Sequence, residues 1–95
     1  MTTLDTVRAR REEILSAARR RRASRVRVFG SVARGDSRPD SDVDFLVDFE
    51  PDASLLDQVG LIHDLEELLG IGVDVISAGG LRPRHEPIRQ EAVDL

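Results

Sequence analysis

Apolar residues recur along this chain with the periods of helices and of strands in turn. A spacing of three and four residues predicts helices over residues 3–23 and 54–69, and residues 83–94 suggest a last helix. Thr3 or Asp5 could cap the first of these helices. In the second helix, the apolar stripe predicted to face the core consists of Leu55, Val59, Ile62, Leu65 and Leu69, widened by Leu56 and Leu68.

Three stretches have the alternation or the short apolar run of a strand: residues 25–29, 41–49 and 72–77. Residues 31–35 could form a brief helix. The second and third strands are joined through a long helix, which favours a parallel pair, whereas the relation of the first two strands stays open. The order of elements predicts a small α/β or α+β fold, with a short sheet covered by helices.

Length and composition fit a single domain over residues 1–95 with one core. Cysteine is absent, which excludes disulfides and thiolate metal sites, and two isolated histidines do not suggest a zinc site. No stretch resembles a signal peptide or a membrane span, so a cytoplasmic protein without a membrane partner is expected. Tyr and Trp are absent, which leaves no stacking platform of this kind for single-stranded nucleic acid.

The net charge of −4 is unevenly distributed, because residues 1–35 carry +7 and residues 36–95 carry −11. All basic residues are arginine, which excludes a lysine nucleophile or Schiff base. Residues 19–22 are four consecutive arginines at the end of the first predicted helix, where positive charge complements the helix dipole. This arginine cluster is either a solvated helix end or a contact with nucleotide, nucleic acid or an acidic partner.

Gly30 and Ser31 directly follow the first predicted strand. A glycine there lets the backbone turn sharply and approach a ligand. If a helix begins at Ser31, its free N–H groups favour an anion such as phosphate, and the Ser31 hydroxyl can add a donor. Turn chemistry alone explains the same two residues, so this signal is weak by itself.

Asp42 and Asp44 would lie on the same side of the second strand, with Cα atoms roughly 6.5–7 Å apart. Two carboxylates so close repel each other, and a cation such as Mg²⁺ between them removes that penalty. A solvated acidic face is the simpler explanation for this pair taken alone. A calcium loop of the EF-hand type is excluded, because Phe45 stands where it needs glycine and Pro51 where it needs glutamate.

Asp74 lies between Val73 and Val75 in an apolar strand, where an unpaired carboxylate is costly. If the third strand lies beside the second, Asp74 can join Asp42 and Asp44. Three carboxylates suit two metal ions, one at the attacking hydroxyl and one at a triphosphate.

Together these residues resemble the motif of the polymerase-beta-like nucleotidyltransferase superfamily. Its pattern is an apolar residue, Gly, then Gly or Ser, a spacer, Asp-apolar-Asp-apolar, and a later carboxylate between apolar residues. The chain offers Phe29-Gly30-Ser31, ten intervening residues, Asp42-Val43-Asp44-Phe45 and Val73-Asp74-Val75. The stretch GSVARGDSRPDSDVDFLVDF is similar to that of the minimal nucleotidyltransferases, the antitoxins of HEPN/MNT toxin–antitoxin pairs.

This resemblance implies one minimal nucleotidyltransferase domain with the polymerase-beta-like palm, a short mixed sheet flanked by helices. It implies transfer of a nucleoside monophosphate, AMP from ATP, onto a hydroxyl of a HEPN-family toxin, with two Mg²⁺ ions and release of pyrophosphate. The catalytic and metal-binding residues would be Asp42, Asp44 and Asp74, the last as base or third ligand. The nucleotide-binding residues would be Gly30, Ser31, Arg34 and Ser41.

Two alternatives to this enzyme stay open. An antitoxin could mask its toxin by contact alone, although the intact set of three carboxylates argues against complete loss of activity. A nucleic-acid-binding module could use the N-terminal arginines, although the acidic remainder and the missing aromatic residues count against it. Arg34 could equally be a surface charge in a turn, and Asp48 is expected to be solvated.

Overall fold

Four strands form one mixed sheet in the computed structural model, which describes residues 2–95. They are β1 (Ala23–Phe29), β2 (Val43–Phe49), β3 (Val73–Ser77) and β4 (Val93–Asp94), in the spatial order β3-β2-β1-β4. β2 and β3 are parallel, whereas β1 runs antiparallel to both β2 and β4. The α+β fold class with a short mixed sheet is therefore confirmed.

The helices are α1 (Leu4–Ala9), α2 (Arg11–Arg20), α3 (Gly30–Arg34), α4 (Leu55–Leu69) and α5 (Glu86–Glu91). The single helix predicted over residues 3–23 is wrong, because Arg10 leaves the helical conformation, with φ −104° and ψ 19°, and separates α1 from α2. Thr3 caps α1 by accepting the N–H of Thr6 at 3.2 Å. No helix within residues 2–95 combines the length and apolar character that crossing a bilayer requires.

The C-terminal helix predicted over residues 83–94 is also wrong in its extent. A short 3-10 turn, Pro83–His85, leads into α5, and the chain then becomes extended as β4. β4 pairs with the free edge of β1, with Val93 opposite Val28. A segment of two residues has no strand pattern of its own, so this strand depends on the edge that β1 offers.

α2 and α4 cover one face of the sheet, and the main apolar core lies between them. The fully buried residues there include Ile14, Val28, Phe45, Leu61 and Leu65. The predicted stripe on α4 was partly wrong, since Leu55, Leu56 and Val59 are 74%, 79% and 41% exposed. The helical period places Leu61 and Leu65 on the inner line and turns Leu56 to the opposite side.

The other face of the sheet combines polar residues with a smaller apolar cluster of Phe29, Leu46 and Ala78. Arg27 lies on this face, is only 9% exposed, and places an Nη 3.4 Å from the carboxylate of Asp48. Its Nε is buried and has no hydrogen-bond partner within the described part of the chain. The expectation that Asp48 is simply solvated is wrong, because this carboxylate is paired with a buried arginine.

Candidate active site

Asp44 and Asp74 lie side by side because β2 and β3 pair in parallel. The register sets Asp44 opposite Asp74 and Val43 opposite Val73, on strands that are about 4.8 Å apart. Asp42 comes two residues before Asp44 and just ahead of the strand. Asp44 is half-buried, whereas Asp42 and Asp74 are exposed. The structure thus brings the three predicted carboxylates together at one end of the strands, where β2 and β3 begin.

Gly30 lies beside these carboxylates, directly after the end of β1. The pairing of Phe29 with Asp44 brings the end of β1 next to that carboxylate, and Gly30 turns there with a φ of 77°. A Cβ atom on Gly30 would lie 2.2 Å from Oδ2 of Asp44. Only glycine allows both the left-handed backbone and this close approach.

Gly72 approaches the carboxylate of Asp42 as closely as Gly30 approaches that of Asp44. A Cβ atom on Gly72 would lie 2.2 Å from Oδ1 of Asp42, and the Gly72 carbonyl accepts the N–H of Val43 at 3.0 Å. From the sequence alone, Gly72 is only the start of a predicted strand. Its position next to the site becomes visible only once β3 is paired with β2.

The charges of the carboxylates oppose one another. The pKa of Asp44 is raised, first by its burial and then by the negative charges of Asp74 and Asp42, and a hydrogen bond to Asp74 adds to the shift. Among residues 2–95 no three side chains of Asp, Glu or His already stand in the arrangement that holds a metal ion.

The residues predicted to bind the nucleotide are only partly assembled. Ser31 is half-buried near the start of α3, and its hydroxyl makes no hydrogen bond to the residues that the structure describes. Arg34 ends α3 and forms ion pairs with Asp36, at 3.2 Å, and with Glu91. Ser41 closes a turn, since its hydroxyl oxygen accepts the N–H of Arg38 at 2.8 Å.

Glu91 is a residue that the sequence analysis missed at this site. It is the last residue of α5, and its Oε2 accepts the N–H of Gly30 at 3.0 Å while its Oε1 accepts from Arg34. The pKa of Glu91 is lowered, mainly by its hydrogen bond to Arg34. No local pattern marks this glutamate, because it reaches Gly30 only through the docking of the C-terminal segment on β1.

The arginine cluster of residues 19–22 lies away from the carboxylates. It directly precedes β1, whose seven residues extend about 20 Å before Gly30 is reached. Arg21 pairs with Asp64 on α4 at 2.8 Å, and Arg22 pairs with Asp52. These contacts attach the end of α2 to α4 and the loop before it, so Arg21 and Arg22 are paired within the chain rather than simply solvated.

Comparison with known families agrees with this geometry. Residues 11–94 match the model of the nucleotidyltransferase domain, and the chain belongs to that family. The resemblance to minimal nucleotidyltransferases is confirmed, and the chain is a nucleotidyltransferase by descent and fold.

Among curated relatives, the chain is 41% identical to the protein adenylyltransferase MntA of Thermococcus cleftensis, over 86% of this chain and 84% of that protein. A solved structure provisionally described as a minimal nucleotidyltransferase is 54% identical, with a TM-score of 0.87, and covers 99% of this chain and 97% of its own. A toxin–antitoxin structure with AMP-PNP has a TM-score of 0.74 over 87% of this chain and 69% of that one. Its sequence identity is 17%, so this last likeness shows the fold alone.

Proposed function

We propose that this chain is the antitoxin of a HEPN/MNT pair and transfers AMP from ATP to a hydroxyl group of its toxin. The observation that carries the proposal is the parallel register that sets Asp44 beside Asp74, with the Asp44 carboxylate against Gly30. The likeness to a relative named for protein adenylylation, over most of both chains, supports a protein as the acceptor.

The donor set fits magnesium. Asp42, Asp44 and Asp74 offer only carboxylate oxygens, the ligands that Mg²⁺ prefers, and the pKa of Asp44 is raised by its burial and then by the charges of Asp74 and Asp42. Those three residues would hold Mg²⁺, which when bound neutralises charge on the triphosphate and activates the acceptor oxygen.

The remaining roles fall to the chain's own donors. The N–H of Gly30, the hydroxyl of Ser31 and the guanidinium of Arg34 hold phosphate oxygens, while Ser41 shapes the turn that leads into Asp42. The acceptor oxygen forms a bond to the α-phosphorus of ATP. The bond between the α-phosphorus and the oxygen that bridges it to the β-phosphorus breaks, and pyrophosphate leaves with that oxygen. Asp74, exposed on the edge strand β3, takes the proton of the acceptor hydroxyl.

The proposal is tested by the intact mass of the HEPN-type toxin that it requires as partner, after incubation with the chain, ATP and Mg²⁺. We expect one or more added AMP groups with the wild type. The Asp42→Asn/Asp44→Asn variant should give none, and Asp40→Asn, an exposed acid in the preceding turn, should act as wild type. Equal modification by the double variant would rule out catalysis by these carboxylates.

A contact-only antitoxin is the second candidate. The observation in its favour is the exposed apolar surface at the start of α4, where Leu55 and Leu56 are 74% and 79% exposed and a bound partner could cover them. In that case neither wild type nor double variant modifies the toxin, yet both neutralise it with equal efficiency.

A further inference from the structure

The C-terminal segment from α5 to β4 lies across the face of the sheet that carries the carboxylates. Ile88 and Ala92 pack against the small cluster of Phe29, Leu46 and Ala78. Arg89 donates to the carbonyl of Ala78 at 2.8 Å. We call residues 86–94 the C-terminal strap.

The strap places a carboxylate at the start of α3. Both oxygens of Glu91 are engaged there, one by the N–H of Gly30 and the other by the guanidinium of Arg34. Under the proposed function these two donors hold phosphate oxygens. A carboxylate offers two anionic oxygens, as a phosphate does, so Glu91 takes up the contacts that a triphosphate would make.

We propose that Glu91 is an intramolecular competitor of the nucleotide, and that the triphosphate binds only when this carboxylate leaves Gly30 and Arg34. The inference rests on the proposed function, because it assumes that the triphosphate uses those donors. One N–H cannot serve both acceptors fully. A triphosphate beside an ionised Glu91 would also meet like charge in a site that already contains three aspartates.

The strap has the properties of a segment that can be displaced. α5 has only six residues and none of them is buried, so it can move while β4 keeps its pairing with β1, the contact of Val93 with the main core and the ion pair of Asp94 with Arg25 at 3.0 Å. Segments with few buried apolar contacts open at low free energy, well below global unfolding. Release of Glu91 therefore does not require the main core to open.

The substitution Glu91→Gln removes the negative charge of this side chain and keeps its size and shape. Calorimetry with AMP-PNP and Mg²⁺ should show that Glu91→Gln binds about tenfold more tightly than wild type, the effect of losing one competing hydrogen bond to a charged group. Asp36→Asn is the matched control, since Asp36 also pairs with Arg34 but makes no contact with Gly30. That variant should change the affinity less than twofold.

The outcomes separate this inference from the proposed function. If wild type binds in a Mg²⁺-dependent way and Glu91→Gln binds equally or more weakly, Glu91 is not a competitor and the proposed function stands. If neither chain binds AMP-PNP with Mg²⁺, both ideas are wrong.

A measurement on wild type alone guards against a variant that folds poorly. Amide hydrogen exchange within residues 86–94 should become faster when AMP-PNP and Mg²⁺ are added, because the strap loses its anchor at Gly30. Slower exchange on binding would show that Glu91 stays in place and would overturn the inference.

Discussion

The two faces of the sheet differ in what they contain and in what covers them. The face under α2 and α4 is lined by apolar residues, among them Val28, Phe45 and Val47, all fully buried. The opposite face alternates charge with apolar surface, since Asp44, Arg27 and Asp48 surround Leu46. Ile76 and Leu81, together with Ile88 and Ala92 of the C-terminal strap, pack against its apolar cluster.

The two faces therefore contribute differently: one mainly stabilises the fold, and the other carries the ionisable groups of the candidate site. Burial of apolar side chains is the main favourable contribution to folding, and most of it lies on the helix-covered face. The other face keeps ionisable groups close together at the cost of repulsion, which is how functional sites commonly differ from the rest of a fold. Truncation of apolar residues should therefore cost more stability on the first face than on the second, and substitution of the carboxylates should affect function.

The largest expected effect is on stability and compares two leucines of equal burial. Leu65 lies in the main core and Leu46 in the small cluster, both 0% exposed. Leu65→Ala should lower the free energy of unfolding by about 3–5 kcal/mol, and Leu46→Ala by about 2–3 kcal/mol, because the strap can close part of the cavity. Urea denaturation measures both, and equal losses would mean that the two faces are equally rigid.

The second prediction concerns Gly30. Gly30→Ala combines a left-handed φ of 77° with the contact to Asp44, whereas Gly35→Ala has a φ of 81° and open space. We expect losses of about 2–4 kcal/mol for Gly30→Ala and about 1–2 kcal/mol for Gly35→Ala. In an Asp44→Ala background the cost at Gly30 should fall to that at Gly35, which a double-mutant cycle would reveal. An unchanged cost would disprove the contact.

The third prediction separates function from folding at Gly72. Gly72→Ala pushes against the carboxylate of Asp42, which is exposed and can rotate away, so the stability change should stay under about 1 kcal/mol. The Mg²⁺ concentration for half-maximal AMP transfer should rise about tenfold, because Asp42 is held out of place. Gly79→Ala is the control, since its nearest neighbour lies at 4.0 Å. A normal Mg²⁺ dependence in Gly72→Ala would contradict this account.

The smallest effect is a pH dependence of opposite sign at two aspartates. The pKa of Asp44 is raised in the fold by burial and neighbouring carboxylates. Without divalent metal, the contribution of Asp44 to the free energy of unfolding is therefore lost as pH rises from 3.8 through its folded pKa. The pKa of Asp64 is lowered by Arg21, so Asp64 contributes stability that is lost as pH falls. Without divalent metal, Asp44→Asn should therefore gain stability relative to wild type as pH rises above 3.8, whereas the deficit of Asp64→Asn should be complete above pH 3.8 and shrink as pH falls below it. Parallel curves for all three proteins would refute both assignments.

The elements with a pattern of their own could be predicted from the sequence. β2 and α4 follow from alternation and helical spacing, and the parallel pair with β3 follows from the long helix between them. The juxtaposition of Asp44 and Asp74 could be anticipated from that pairing together with the family resemblance. These features depend on neighbours in sequence or on one connection.

The features that were missed depend on tertiary contacts. β4 exists because β1 has a free edge, and Glu91 reaches Gly30 because β4 docks there. Asp48 was expected to be solvated because no local signal places Arg27 beside it on a neighbouring strand. Gly72 needed the register of β2 with β3 before its contact with Asp42 became visible.

The central claim is that the carboxylates of Asp42, Asp44 and Asp74, beside Gly30, bind a nucleoside triphosphate only together with a divalent cation. Calorimetry with ATP tests it most directly, with wild type and Asp44→Asn, each in Mg²⁺ and in EDTA. The account predicts binding by wild type in Mg²⁺, none in EDTA, and at least tenfold weaker binding by Asp44→Asn in Mg²⁺. Equal binding by wild type in Mg²⁺ and in EDTA would contradict it.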